Sequence, residues 1–158
     1  MVYGGGKIGM MGIIADTILA EKGTVIGVIP KLLEHEEVVH REVTELIVTK
    51  KMSERKVIMS KLIDGYITLP GGFGTLDELF EALTLNQLHI EQKPVGILNI
   101  NGFFDYTLQQ LDVMIKEGYL KPQNRELLLV DKTVEGLLSQ MYAYKAPEKL
   151  HVINKVVR

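Results

Sequence analysis

Residues 65–81 read Gly-Tyr-Ile-Thr-Leu-Pro-Gly-Gly-Phe-Gly-Thr-Leu-Asp-Glu-Leu-Phe-Glu, and no other stretch constrains the fold as tightly. Residues 66–69 are aromatic, β-branched or aliphatic and predict a buried strand. Pro70-Gly71-Gly72-Phe73-Gly74 cannot continue it. Leu76, Leu79, Phe80 and Leu83 then recur at helical spacing, with Thr75 placed as N-cap and the helix running to about residue 88. A glycine-rich turn from strand to helix offers free backbone N–H groups and the positive end of a helix dipole, which suits a phosphate. No Gly-Lys-Ser/Thr follows, so this is not a Walker loop, and the spacing is not the dinucleotide G-x-G-x-x-G. It predicts a mononucleotide phosphate cradle with a carboxylate just inside the helix.

The remaining chain alternates in the same way. A strand ending at Val2-Tyr3 leads through Gly4-Gly5-Gly6-Lys7-Ile8-Gly9 into a helix over 10–22 that is apolar nearly all round, hence expected to be heavily buried. Gly23 suits the C′ position. A strand over 24–29 stops at Pro30, residues 31–41 predict a loop with a short helical turn, and 45–49 a third strand. Further on come a helix over 52–63, a strand over 95–99, a helix over 103–116 stopped by Gly118, a strand over 127–130 and a helix over 133–142. Strands alternating with helices and apolar on both faces predict an α/β fold, a parallel sheet with helices on both sides. In such sheets ligands sit beyond the carboxyl ends of the strands, where both glycine-rich loops fall and can face one crevice.

At 158 residues the chain is long enough for one domain with a real core. A net charge of -2 gives no basic surface for nucleic acid. No apolar run reaches the roughly 18 residues of a membrane span, and the opening residues do not read as a signal peptide. Without cysteine there are no disulfides or thiolate metal sites, and a reducing cytoplasm is the expected compartment. His35 and His40 are five residues apart, about 140° around a helix, which is not a zinc-helix spacing. His89 and His151 read as isolated and solvated. The Met10-Met11 pair and the Met52/Met59 stripe read as core filler.

Two residues stand out. Arg55 shares the apolar face of its helix with Met52 and Met59, with Lys56 beside it. A guanidinium there needs an anionic partner or a wet cleft, so it is either a structural ion pair or a substrate clamp. Glu78 completes Thr75-Leu76-Asp77-Glu78, which matches a capping box. Yet a carboxylate beside a phosphate cradle also suits a base, or a group that stabilises a sugar cation one ribose away from the phosphate. Asp77 reads as a solvated helix-start residue. Both readings of Glu78, and of the Gly4–Gly6 turn as bound or bare, stay open on these grounds.

Taken together, Tyr3-Gly4-Gly5-Gly6-x-x-Gly9-x-Met11-Gly12, Met52-x-x-Arg55-Lys56-x-x-Met59 and Pro70-Gly71-Gly72-x-Gly74-Thr75-x-x-Glu78 resemble the signatures of the LOG (Lonely Guy) family, historically labelled lysine decarboxylases. Gln87-Leu88, Lys93-Pro94-x-Gly96-x-Leu98-Asn99 and Gly118-Tyr119-Leu120 extend the resemblance over nearly the whole chain. It implies a modified Rossmann fold, a homodimer, and hydrolysis of the N-glycosidic bond of a nucleoside 5′-monophosphate to free base and ribose 5-phosphate. It also implies Arg55 and Glu78 as catalytic, with Gly5, Gly6, Lys56, Gly71, Gly72, Gly74 and Thr75 on the nucleotide and its phosphate. No cofactor is expected, and no motif argues for pyridoxal phosphate on a lysine. A non-catalytic nucleotide-binding module is the rival expectation. Family members carry a strand, a Gly-Ser-Ser-type loop and a helix ahead of the Tyr-Gly-Gly-Gly element. Without that strand, neighbouring strands are expected to expose unpaired backbone.

Overall fold

A computed structural model describes residues 1–34 and 38–147. They fall into two compact units, one spanning Met1–Ile63 and the other beginning at Asp64. Each is a three-stranded parallel sheet flanked by helices, so the α/β architecture of a Rossmann-like fold stands. The strands are grouped as two sheets of three.

The first unit contains β1 (Val2–Tyr3), α1 (Gly9–Ala20), β2 (Ile26–Pro30), β3 (Glu45–Thr49) and α2 (Met52–Lys61). Sheet order is β1-β2-β3, with Tyr3 opposite Gly27 and Val28 opposite Ile47. The central strand is the buried one, as its Val28 and Ile29 show. Tyr3, Ala15 and Val25 form the core, with Ile18, Leu19 and Val43 packed on it.

The helix over 10–22 is present but far less covered than its composition predicts. Only Gly12 and Ala15 of α1 are buried, while Met10 is 52% and Ile13 65% exposed. Uniform hydropathy along a helix demands cover but does not supply it, and the sheet reaches one face only. Met11 and Met52 are likewise exposed, so these methionines are not core filler. The helix ends in a Schellman arrangement: Gly23 N–H donates to Ile18 C=O at 2.8 Å and Lys22 N–H to Leu19 C=O at 2.9 Å. The left-handed C′ residue is therefore Lys22, φ 62°, and Gly23 follows it.

The second unit contains β4 (Tyr66–Thr68), α3 (Phe73–Gln87), β5 (Val95–Leu98), α4 (Asp105–Lys116), a single turn α5 (Pro122–Arg125), β6 (Leu128–Asp131) and α6 (Val134–Ala143). Sheet order is β4-β5-β6, and β5 is buried at every residue. Leu79, Ala82, Val95, Ile97, Phe104, Leu111 and Leu128 make the core. The strand expected to be buried over 66–69 is an edge strand here, with Ile67 48% exposed, because only β5 pairs with it. His89 is not simply solvated: at φ 55° it closes α3, where Ile90 N–H donates to Leu85 C=O at 2.9 Å. His35, His151 and the tail after Pro147 lie outside the described residues. No helix among the described residues is long and apolar enough to cross a membrane.

Candidate functional site

In the first unit, Gly4–Gly6 leave the carboxyl end of β1. A Cβ on Gly4 would lie 3.2 Å from Cζ of Arg55, whose guanidinium occupies that space, and one on Gly6 would meet the Met11 terminal methyl at 2.8 Å, both far ends of flexible side chains. Gly5 has φ 73° and would bring a Cβ within 3.1 Å of the Ile29 Cβ, so backbone and packing together require glycine at that position. Arg55 comes from α2, half-buried, with Nη1 donating to Met52 Sδ at 3.2 Å, and Lys56 next to it is also half-buried. This unit therefore brings Arg55 together with the glycine turn, a neighbour that its place on the helix face did not specify.

Beside that turn stands Tyr3, whose hydroxyl is buried without a hydrogen-bond partner. Burial, reinforced by the charge of Asp16, pushes its phenol up to about 12. His40 is buried as well, with Nε2 2.8 Å from Asp16 Oδ1. Nothing in the spacing of His35 and His40 signals that contact. Among the described residues, no three His, Cys, Asp or Glu side chains are placed to hold a metal.

In the second unit, the turn after β4 leads into α3 one residue after its N-cap, which is Gly72 rather than Thr75. The first intrahelical bond runs from Leu76 N–H to Gly72 C=O at 3.2 Å. Thr75 is at the third helical position, with its side chain over Gly71, where a Cβ would lie 3.0 Å from that of Thr75. Glu78 is six residues past the N-cap and half-buried, too far along to reach back to it. The capping-box explanation of Glu78 is therefore removed, because the helix begins two residues before Thr75. Asp77 is exposed, as expected.

At this helix start the N–H groups of Phe73, Gly74 and Thr75 have no intrahelical acceptor, as in the first turn of any helix, and the N-cap residue Gly72 has no side chain to cap them. At Gly72 and Gly74 no described atom lies within 4 Å of an added Cβ, and neither residue has a positive φ. Neither packing nor backbone conformation asks for glycine there. Between them Phe73 is 95% exposed.

A family model described as "Possible lysine decarboxylase" matches residues 11–141. A cytokinin riboside 5′-monophosphate phosphoribohydrolase of Arabidopsis thaliana is 39% identical over 145 residues, covering 92% of this chain and 64% of the relative. A probable enzyme of the same name from that plant is 41% identical, covering 94% of this chain and 74% of its own length. The phosphoribohydrolase LOG of Oryza sativa subsp. japonica is 41% identical over 91% of this chain and 60% of its own length. The chain thus spans roughly two thirds of the length of these curated relatives. With the model matched over most of its residues and such relatives near 40% identity, the chain belongs to the LOG family, to which the lysine-decarboxylase label was also given.

Proposed function

We propose that this chain binds a nucleoside 5′-monophosphate and hydrolyses its N-glycosidic bond to free base and ribose 5-phosphate. The names of its relatives support the reaction and give a cytokinin riboside 5′-monophosphate as the substrate class, with AMP as the plain counterpart. The observation that carries the reading is the pair Gly72 and Gly74, glycines that neither packing nor φ requires, at the strand-to-helix turn that opens α3. Such a site suits an anion that must approach the backbone closely.

In this reading the phosphate sits on main-chain N–H groups over 71–75 with Thr75, and Lys56, Gly5 and Gly6 have the nucleotide-binding roles that the family resemblance gives them. As the C1′–N bond breaks, its electron pair leaves with the base and positive charge develops on the ribose. Glu78 stabilises that charge and takes a proton from the attacking water, whose oxygen bonds to C1′. The proton that Glu78 takes from water is returned, directly or through solvent, to the nitrogen that received the electron pair. The hydroxyl thus ends on C1′, the hydrogen on the base, and Glu78 is ionised again. The family resemblance gives Arg55 the role of orienting the sugar phosphate through its fork of donors. The working unit is a homodimer.

Glu78→Gln tests this directly. Glutamine keeps the side chain's size and one acceptor oxygen, so the variant should still unfold in a single thermal transition, while kcat for adenine release from AMP falls about 10²–10³-fold. Turnover equal to the parent chain would remove Glu78 from the chemistry. Arg55→Lys, which keeps the charge and loses the fork, should lower kcat/KM for the same reaction. Thermal protection by AMP with no base released would favour the non-catalytic binding module instead.

A further inference from the structure

His40 is a buried ionisable side chain that the proposed reaction leaves unused. Its side chain is 1% exposed, although both ring nitrogens are polar. Burying a polar nitrogen unpaired is costly, and one of the two is paired. Nε2 lies 2.8 Å from Asp16 Oδ1 on α1. Nδ1 lies 3.2 Å from Glu42 Oε2, off the line a hydrogen bond needs. Lys7 Nζ holds the same Glu42 at 3.0 Å.

The backbone around His40 is paired with the glycine turn. His40 N–H donates to Gly5 C=O at 2.9 Å, and Lys7 N–H donates to Val38 C=O at 2.8 Å. These two bonds enclose an antiparallel bridge between Gly6 and Val39. On its far side the turn is seated on α1, where the Lys7 carbonyl lies against Gly12, whose buried position has no room for a Cβ. The bridge uses the Gly5 carbonyl and the Lys7 amide.

We propose that His40 is a positioning residue: through its Nε2 contact with Asp16 it locks the 38–40 segment to α1 and so fixes the Gly4–Gly6 turn for nucleotide binding. This rests on the nucleotide reading of that turn given above. A loop held this way contributes to substrate binding equally in ground and transition states, so loosening it raises KM and spares kcat. A histidine that merely fills the core would affect stability and leave that ratio unchanged.

The test compares the full chain with His40→Leu, His40→Gln and Asp16→Ala. Adenine release from AMP gives kcat and KM, and amide hydrogen exchange at residues 5–7 reports the turn without nucleotide. For His40→Leu, KM should rise about tenfold with kcat within about twofold, and exchange at 5–7 should quicken about tenfold. His40→Gln keeps a donor near the Nε2 position and should recover both to within about threefold. Asp16 is on the surface, so Asp16→Ala will fold even if His40→Leu does not, and it should reproduce the same pattern. Parental KM and parental exchange in His40→Leu or Asp16→Ala overturn the proposal. So does a loss of kcat that follows thermal stability while KM stays put. If the parent chain releases no base, the hydrolase reading fails by itself. The exchange comparison then still decides the role of His40.

Discussion

Gly74 is at the second position of α3 with open space where a side chain would go. If the fold alone set its identity, alanine would be the better residue, since glycine in a helix gives up about 0.5–1 kcal/mol. Gly74→Ala is therefore expected to leave the thermal midpoint unchanged or raise it. The added methyl would stand where the phosphate is proposed to approach, so KM for AMP should rise about tenfold or more. A parental KM in a stabilised variant would show that nothing docks there. Tyr3 gives a second separation. Its phenol, pushed from 10.0 up to about 12 by burial and then by Asp16, stays protonated in the fold after the unfolded chain has begun to ionise. Its contribution is complete below pH 10, declines between pH 10 and about 12, and is gone above that. Denaturant midpoints followed across that window should fall more steeply for the parent chain than for Tyr3→Phe. The Phe variant also removes a buried hydroxyl without a partner, so at neutral pH it should be at least as stable.

Among the elements, the join between β5 and α4 is tied by one side chain. Buried Asn99 accepts from Phe104 N–H at 2.8 Å and donates through Nδ2 to Asp105 Oδ1 at 2.7 Å. Asn99→Ala leaves the Phe104 amide buried without its acceptor, so equilibrium unfolding should show a loss of about 1–3 kcal/mol. Most elements were legible from periodicity: β3 over 45–49 and α2 from Met52 are where the pattern puts them. The errors have local physical causes. Thr75-x-x-Glu78 is a valid capping pattern, but the extended backbone of Gly72, φ -95° and ψ -150°, lets α3 start earlier. α5 is one turn with proline at its start, too short to leave a period. Gly23 was the obvious helix stop, yet Lys22 adopts the left-handed conformation one residue before it.

For the molecule as a whole, residue types pointed to candidate positions more readily than to the fold's exposed surface. A cation on an apolar helix face singled out Arg55, which the fold places beside Gly4. The succession of strand, glycines and helix over 66–87 was legible as a turn, with the phosphate cradle there a proposal. The His40–Asp16 contact and the exposed face of α1 depend on chain crossings that no local pattern encodes. That face carries Met10, Met11 and Ile13 in the open, with Ile8 just ahead of them. Several large apolar side chains exposed along one short stretch favour association, which is the ground for testing the proposed homodimer there. Sedimentation velocity over a range of concentrations should then show self-association. Ile13→Glu should weaken it at least tenfold, about 1.4 kcal/mol. Because Ile13 is 65% exposed, the substitution should leave the unfolding transition of the dissociated chain in place. A chain that stays monomeric throughout would remove the homodimer from the proposal. Self-association that Ile13→Glu leaves untouched would assign the contact to a surface other than α1.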